Sequence, residues 1–280
     1  MESHNNQKKI AVINDLSGFG RCSLAVAMPI ISYLRVQCCP VVTSVFSNHT
    51  GYEHYFFDDY TKKMEEYISH WERLGLEFNG ICSGFLGSRE QIEIVEGFFR
   101  KFKKKDTTRI IVDPIMGDYG KPYGTYTQEM CQEMKRLVKY ADIITPNLTE
   151  ACILVGCDYE KIGGSNAELI ELAEALVKIG PQQVVITGVP QKSFLTNIIY
   201  EKGKEPKFVK RKKIGVNRSG TGDVFSAILS ADAVNGVDFA KSVEKAADFM
   251  IACIRRSIEL EIPVTDGVCF EEVLYRLKRD

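Results

Sequence analysis

Residues 217–227 read Asn-Arg-Ser-Gly-Thr-Gly-Asp-Val-Phe-Ser-Ala, a pattern suited to chemistry on an anion. Gly220, Thr221 and Gly222 stand directly before an acid, Asp223, which opens an apolar run over 224–233 that reads as a helix. The first turn of a helix leaves backbone N–H groups without acceptors, and the aligned peptide dipoles add partial positive charge there. Glycines let that backbone approach a charged ligand closely, because no Cβ intervenes. The same dipole favours Asp223 as a carboxylate by about 0.3–1 kcal/mol at an exposed site. An ionised acid beside an anion cradle makes sense when the acid handles a proton and the cradle holds developing negative charge. Taken alone, the four-residue string is better read as an ordinary glycine loop, so its companions decide.

Three companions carry weight together. Asp113-Pro114-Ile115-Met116-Gly117-Asp118 ends a β-branched run in an acid and enters a long glycine-containing loop, where a carboxylate can approach Mg²⁺ or a reacting hydroxyl. Thr145-Pro146-Asn147-Leu148-Thr149-Glu150 has the spacing of a capping box at a helix start, with a second role near metal-bound phosphates open to Asn147 and Glu150. Phe46-Ser47-Asn48-His49-Thr50-Gly51-Tyr52 mixes aromatic rings with amide, imidazole and hydroxyl groups, which suits a planar polar ligand. A fourth string, Gly18-Phe19-Gly20-Arg21-Cys22-Ser23, nearly matches the dinucleotide fingerprint. It has Ser23 in place of the third glycine and no ribose-binding acid about 20 residues on, so an NAD(P)-dependent oxidoreductase is a weak alternative. A small-molecule pocket near Asp15 and Ser17 is the other reading of that turn.

The elements that must position these residues follow from periodicity. Short β-branched runs at 10–14, 37–45, 80–84, 109–113, 143–145 and 183–187 alternate with amphipathic stretches near 22–34, 59–73, 88–104, 127–139, 147–155 and 166–179. That alternation predicts an α/β fold, a mostly parallel central sheet with helices on both faces. Segments 194–200 and 206–210 predict an antiparallel edge hairpin, and helices beginning near 221, 238 and 267 close the chain. Ligands of open α/β sheets bind beyond the carboxyl ends of the strands, where Asp15, Asp113, Thr145 and Thr187 fall. No linker or repeat divides the chain, so residues 1–280 are expected to form one domain.

Composition bounds the function. The 280 residues carry a formal net charge of −1, which argues against nucleic acid as a partner and leaves small molecules as the default. Nine cysteines without a C-x-x-C pair favour neither a disulfide framework nor a zinc site, and a reducing cytoplasm is the expected setting. No uncharged apolar run approaches the roughly 20 residues that span a bilayer, so no membrane partner is expected. The cations Lys207, Lys210, Arg211, Lys212 and Lys213 read as protection of an edge strand.

Taken together and in order, G-T-G-D at 220–223, F-S-N-H-T-G-Y at 46–52, D-P-x-x-G-D at 113–118 and T-P-N-x-x-E at 145–150 resemble the ribokinase-like superfamily, and within it the pyridoxal (vitamin B6) kinases. The resemblance runs from about residue 10 to the last helices. It implies a ribokinase-like fold, ATP and Mg²⁺ as cofactors with K⁺ as a candidate monovalent ion, and a homodimer. It implies transfer of the ATP γ-phosphoryl to the 5′-hydroxymethyl group of pyridoxal, pyridoxine or pyridoxamine. Asp223 would be the base, and the backbone of Gly220, Thr221 and Gly222 the anion hole. His49 and Thr50 would contact the pyridine ring. Asp113, Asp118, Asn147, Glu150 and Thr187 would face ATP, with Asp113 and Glu150 on the metal side. Two positions depart from those kinases. Asp15 and Ser17 at the first strand's end are closer to hydroxymethylpyrimidine kinases, and Phe85 keeps a stacking ring where a tyrosine is common. A hydroxymethylpyrimidine kinase or another small-molecule kinase of the same fold is therefore the rival, and a non-catalytic B6-binding module is the remaining alternative.

Overall fold

A computed structural model describes residues 3–277, so 1–2 and 278–280 of the expected domain lie outside the described residues. The strands in chain order are β1 (Lys9–Ser17), β2 (Gln37–Phe46), β3 (Phe57–Asp59), β4 (Gly80–Ser83), β5 (Arg109–Val112), β6 (Gly117–Asp118), β7 (Lys121–Pro122), β8 (Ile143–Ile144), β9 (Gln183–Gln191), β10 (Phe194–Glu201) and β11 (Lys207–Lys212). Nine of them form one sheet in the order β11-β10-β9-β8-β5-β4-β1-β2-β3, while β6 and β7 pair as a small separate ribbon. From β9 to β2 all neighbours run parallel; β3, β10 and β11 are antiparallel at the edges.

The helices are α1 (Ser23–Tyr33), α2 (Thr61–Arg73), α3 (Arg89–Phe102), α4 (Gln128–Val138), α5 (Leu148–Val155), α6 (Asn166–Val177), α7 (Thr221–Asn235) and α8 (Phe239–Glu259). Strand residues alternate between two cores, because successive side chains on a strand point to opposite faces. Ile10 and Val12 join a core with α1, α7 and α8, whereas Ala11 and Ile13 join one with α2 to α6. Fully burying an Ile or Leu of this kind contributes about 1.5–3 kcal/mol. Ser88, Thr127, Asn147 and Ser165 each accept a first-turn amide N–H, which fixes where α3, α4, α5 and α6 begin.

The expected hairpin is present as β10 and β11, and the parallel strands fall where the periodicity places them. Three local features differ. β9 continues through Thr187 to Gln191 because it pairs with β10 over that length. The three-residue β3 and the β6–β7 ribbon are too short to leave a periodic signal. The helix expected from about 267 is instead a pair of 3₁₀ turns, Val264–Asp266 and Glu271–Arg276. Gly267 between them has φ +83°, outside helical geometry, and Val268, Cys269 and Phe270 follow it as buried, non-helical chain.

Register places the chemistry. Ile13, Ser83, Val112 and Ile144 pair in one rung across β1, β4, β5 and β8. The next residues, Asn14, Gly84, Asp113 and Thr145, therefore stand in a row at the carboxyl ends of four neighbouring strands. Gly84 lacks a side chain for a reason: a Cβ there would lie 2.5 Å from the Asn14 amide nitrogen.

Candidate active site

Asp223 is the third residue of α7, and Ser23 is the first of α1, so two helix N-termini meet at one carboxylate. Neither helix has a side-chain cap, which leaves first-turn amides of α7 free for a ligand. Burial pushes the Asp223 carboxyl up to about 6. The Ser23 backbone amide and the Asn14 side chain pull it down, and the charge of Asp15 pushes it up. At neutral pH Asp223 is an ionised base of raised basicity, the state a general base needs.

The cradle itself is held tightly. Gly220 has φ +75°, the left-handed region, and packs against the 20–23 loop so closely that a Cβ would meet the Arg21 carbonyl at 1.9 Å. Upstream, the Arg218 guanidinium donates to the carbonyls of Ile262 (2.8 Å) and Pro263 (3.1 Å). The Asn217 amide donates to the Tyr119 hydroxyl, which ties the cradle to the loop after β5.

Asp113 lies one residue beyond β5 and is buried. Burial, then the charge of Asp223, push its carboxyl up to about 8, while the Thr145 and Ser226 hydroxyls pull the other way. The two neighbouring acids are thus driven apart, so that Asp223 gives up its proton at lower pH than Asp113 does. A narrow cavity lined by Asn14, Gly84, Asp113, Asp223 and Ser226 joins them. A groove of about 660 Å³ between β11 and α8 is lined by other residues and lies away from this row.

Asn147 and Glu150 form the capping box that their spacing predicts. Asn147 Oδ1 accepts the Glu150 N–H (2.9 Å) and Glu150 Oε2 accepts the Asn147 N–H (2.8 Å). Both also reach the 113–118 loop: Glu150 Oε1 accepts the Met116 N–H (3.2 Å), and Asn147 Nδ2 donates to the Gly117 carbonyl (2.8 Å). Replacing Asn147 by alanine removes a cap and this second bond, so urea unfolding should show a loss of about 1–2 kcal/mol. An unchanged midpoint would mean that solvent replaces both contacts. Asp118 is half-buried, its carboxyl pushed up by burial, and accepts the Tyr119 N–H (2.8 Å). Thr187 bridges to Asn147 and donates its N–H to the Pro146 carbonyl (2.9 Å). The five residues expected on the nucleotide side are thereby gathered at the ends of β5 and β8 and on the rung where β9 passes Asn147.

The residues expected on the acceptor side are less uniform. Asp15 is buried, and its two oxygens accept the Ser17 hydroxyl (3.0 Å) and the Ser23 hydroxyl (2.5 Å). His49 Nδ1 accepts the Gly51 N–H (3.0 Å), so Nε2 carries the proton and donates to the Thr265 carbonyl (2.7 Å). Thr50 is exposed beside it. The Phe85 ring is half-buried between Phe46 and Tyr126, with centroids 6.4 and 6.3 Å away. Asn14 escaped the sequence reading and is the hub. Its Oδ1 accepts the N–H groups of Asp15 (3.0 Å) and Phe85 (2.8 Å), and its Nδ2 donates to Asp223 (3.5 Å). The available signal was a lone amide closing the apolar run Ile-Ala-Val-Ile.

The phosphomethylpyrimidine kinase family matches residues 29–265. The chain belongs to that family. A Bacteroides thetaiotaomicron protein assigned as a phosphomethylpyrimidine kinase, crystallised with pyridoxal, is 36% identical, with a TM-score of 0.92 over 97% of this chain and 96% of that one. A pyridoxine/pyridoxal/pyridoxamine kinase of Bordetella avium is 28% identical over 197 residues, 66% of this chain. The chain spans 64% of the length of that relative. A Leishmania donovani pyridoxal kinase in complex with ADP and ginkgotoxin has the same fold, with a TM-score of 0.88 at 21% identity over 96% of this chain and 95% of that one. The ribokinase-like architecture and the kinase family expected from the four motifs are both borne out.

Proposed function

We propose that this kinase-family chain transfers the γ-phosphoryl group of ATP to the 5′-hydroxymethyl group of a B6 vitamer: pyridoxal, pyridoxine or pyridoxamine. The observation that carries the reading is the position of Asp223, an ionised acid of raised pKa at the junction of an uncapped glycine cradle and the Asn14–Asp113 row. Asp223 takes the hydroxyl proton as the alkoxide oxygen bonds to the γ-phosphorus and the bond to ADP breaks. The amides of Gly220, Thr221 and Gly222 face the negative charge on the transferring group. His49, Thr50 and Phe85 are assigned to the ring, and Asp118, Asn147 and Thr187 to the nucleotide.

Mg²⁺ fits this donor set when it arrives on the nucleotide. Asp113 is a buried carboxyl with no cation beside it, and Mg²⁺ is usually held by one or two carboxylates together with phosphates and waters. Glu150 already has both oxygens on backbone amides, which makes Asp113 the stronger ligand. Bound there, the metal would neutralise charge on the phosphates.

The choice of a B6 vitamer is supported by the 36% identical relative crystallised with pyridoxal. Hydroxymethylpyrimidine is the second reading, favoured by the family's description and by Asp15 and Ser17. A coupled ADP-release assay across the three vitamers and hydroxymethylpyrimidine separates them. Turnover of at least one vitamer is the expected result. Turnover of hydroxymethylpyrimidine alone, or of none of the four, would overturn the proposal.

A further inference from the structure

The 17–23 loop touches the glycine cradle, the proposed base and the acceptor side of the proposed site. The Arg21 carbonyl lies against Gly220, the His49 ring lies over Gly20, and the Ser23 amide faces Asp223. The Arg21 guanidinium donates to the Asp266 carbonyl (3.1 Å) and pairs with Glu271 (2.8 Å), which holds the last turns of the chain to the same loop. Yet the loop has a poor conformation of its own. Arg21 (φ +44°) and Ser23 (φ +54°) are non-glycine residues in the left-handed region, a strained conformation that persists only when neighbours over-determine it. Asp15 supplies that restraint. It is 5% exposed, and its carboxylate oxygens accept the hydroxyls of Ser17 and Ser23, the two ends of the loop.

We propose that Asp15 is a positioning residue: its carboxylate clamps Ser17 and Ser23, and through them fixes the loop against which Gly220 and Asp223 are set. Because both oxygens are engaged within the protein, Asp15 acts through Ser23 rather than on the ring of the acceptor. The inference rests on the kinase reading above. It assigns a cause to an arrangement that the reading takes as given, since a displacement of about 1 Å in a reacting constellation can lower turnover by about 100-fold.

The test compares Asp15→Ala, Ser23→Ala, the double variant and Asp15→Asn in the full chain. Each alanine variant should lower kcat by about 10–100-fold and leave the vitamer KM within about threefold, the pattern of lost transition-state positioning. The double variant should be no worse than either single one, because one clamp is removed in each case. Asp15→Asn, which keeps one acceptor oxygen, should recover part of the loss. Hydrogen–deuterium exchange should speed up together in segments 18–23 and 217–223. That measurement stands even if no vitamer turns over, so failure of the kinase reading and failure of the clamp are distinguishable. A raised vitamer KM at unchanged kcat, additive losses in the double variant, or unchanged exchange at 217–223 would each overturn the clamp. If Asp15→Ala does not fold, Ser23→Ala decides on the same readouts.

Discussion

Asp223→Asn should lower kcat by about 10²–10⁴-fold, the usual contribution of a positioned base, while ATP and acceptor binding change little. The amide keeps the shape of the side chain and its hydrogen-bonding oxygen but cannot take the hydroxyl proton. In the unaltered chain, kcat/KM should fall about tenfold per pH unit below about pH 6, where burial has placed the Asp223 carboxyl. The variant should lose that acid limb. Stability should move the other way. The native carboxyl binds its proton more tightly than the unfolded one, whose pKa is near 3.8, so native stability falls as pH rises from about 4 to about 6. Above that window the carboxylate costs on the order of 2–3 kcal/mol, which solvent at this half-buried position reduces. At pH 7, Asp223→Asn should therefore unfold at the same or a higher temperature. A variant with near-normal turnover would remove Asp223 from its role, and one that has lost activity by unfolding would leave the kinetic loss without its proposed cause.

Gly220→Ala should be the most damaging single methyl in the cradle. The position has φ +75°, which costs a non-glycine residue about 1–2 kcal/mol. The added Cβ would stand 1.9 Å from the Arg21 carbonyl, so either the cradle or the 20–23 loop must shift. Overpacking of that kind typically costs about 1–3 kcal/mol more. Turnover should fall by about 10² or more, because both loops set the geometry at Asp223. Gly222→Ala supplies the contrast: nothing beyond its chain neighbours and its own helix backbone lies within 4 Å of the added Cβ, so any loss there should come without a stability cost. Equal unfolding midpoints for Gly220→Ala and the unaltered protein would show that the contact relaxes freely, and the close-packing argument would fail.

The site was legible in unequal parts. The capping box of Asn147 and Glu150 is local, three residues apart, and spacing alone predicts its hydrogen bonds. The parallel strands and their flanking helices were legible because burial on both faces demands uninterrupted β-branched runs. The closing helix expected near 267 failed because Gly267 turns the chain out of helical geometry, and Val268 and Phe270 are drawn into the core that α8 helps to build, contacts that no window of sequence contains. Asp15 read as a group free to meet a ligand because its two partners' hydroxyls are unremarkable in sequence, and Ser23 is eight residues away.

What the sequence determined by itself was the inventory: a glycine cradle before an acid, acids and amides at strand ends, and an α/β order that collects them on one edge. Tertiary structure decided how those groups are coupled. The separation of 209 positions between Asn14 and Asp223 is closed by the strand order, not by any local preference. Only that closure sets Asp113 against Asp223 and drives their pKa values apart, because Coulomb energy and desolvation depend on distance and burial, which residue types alone do not fix.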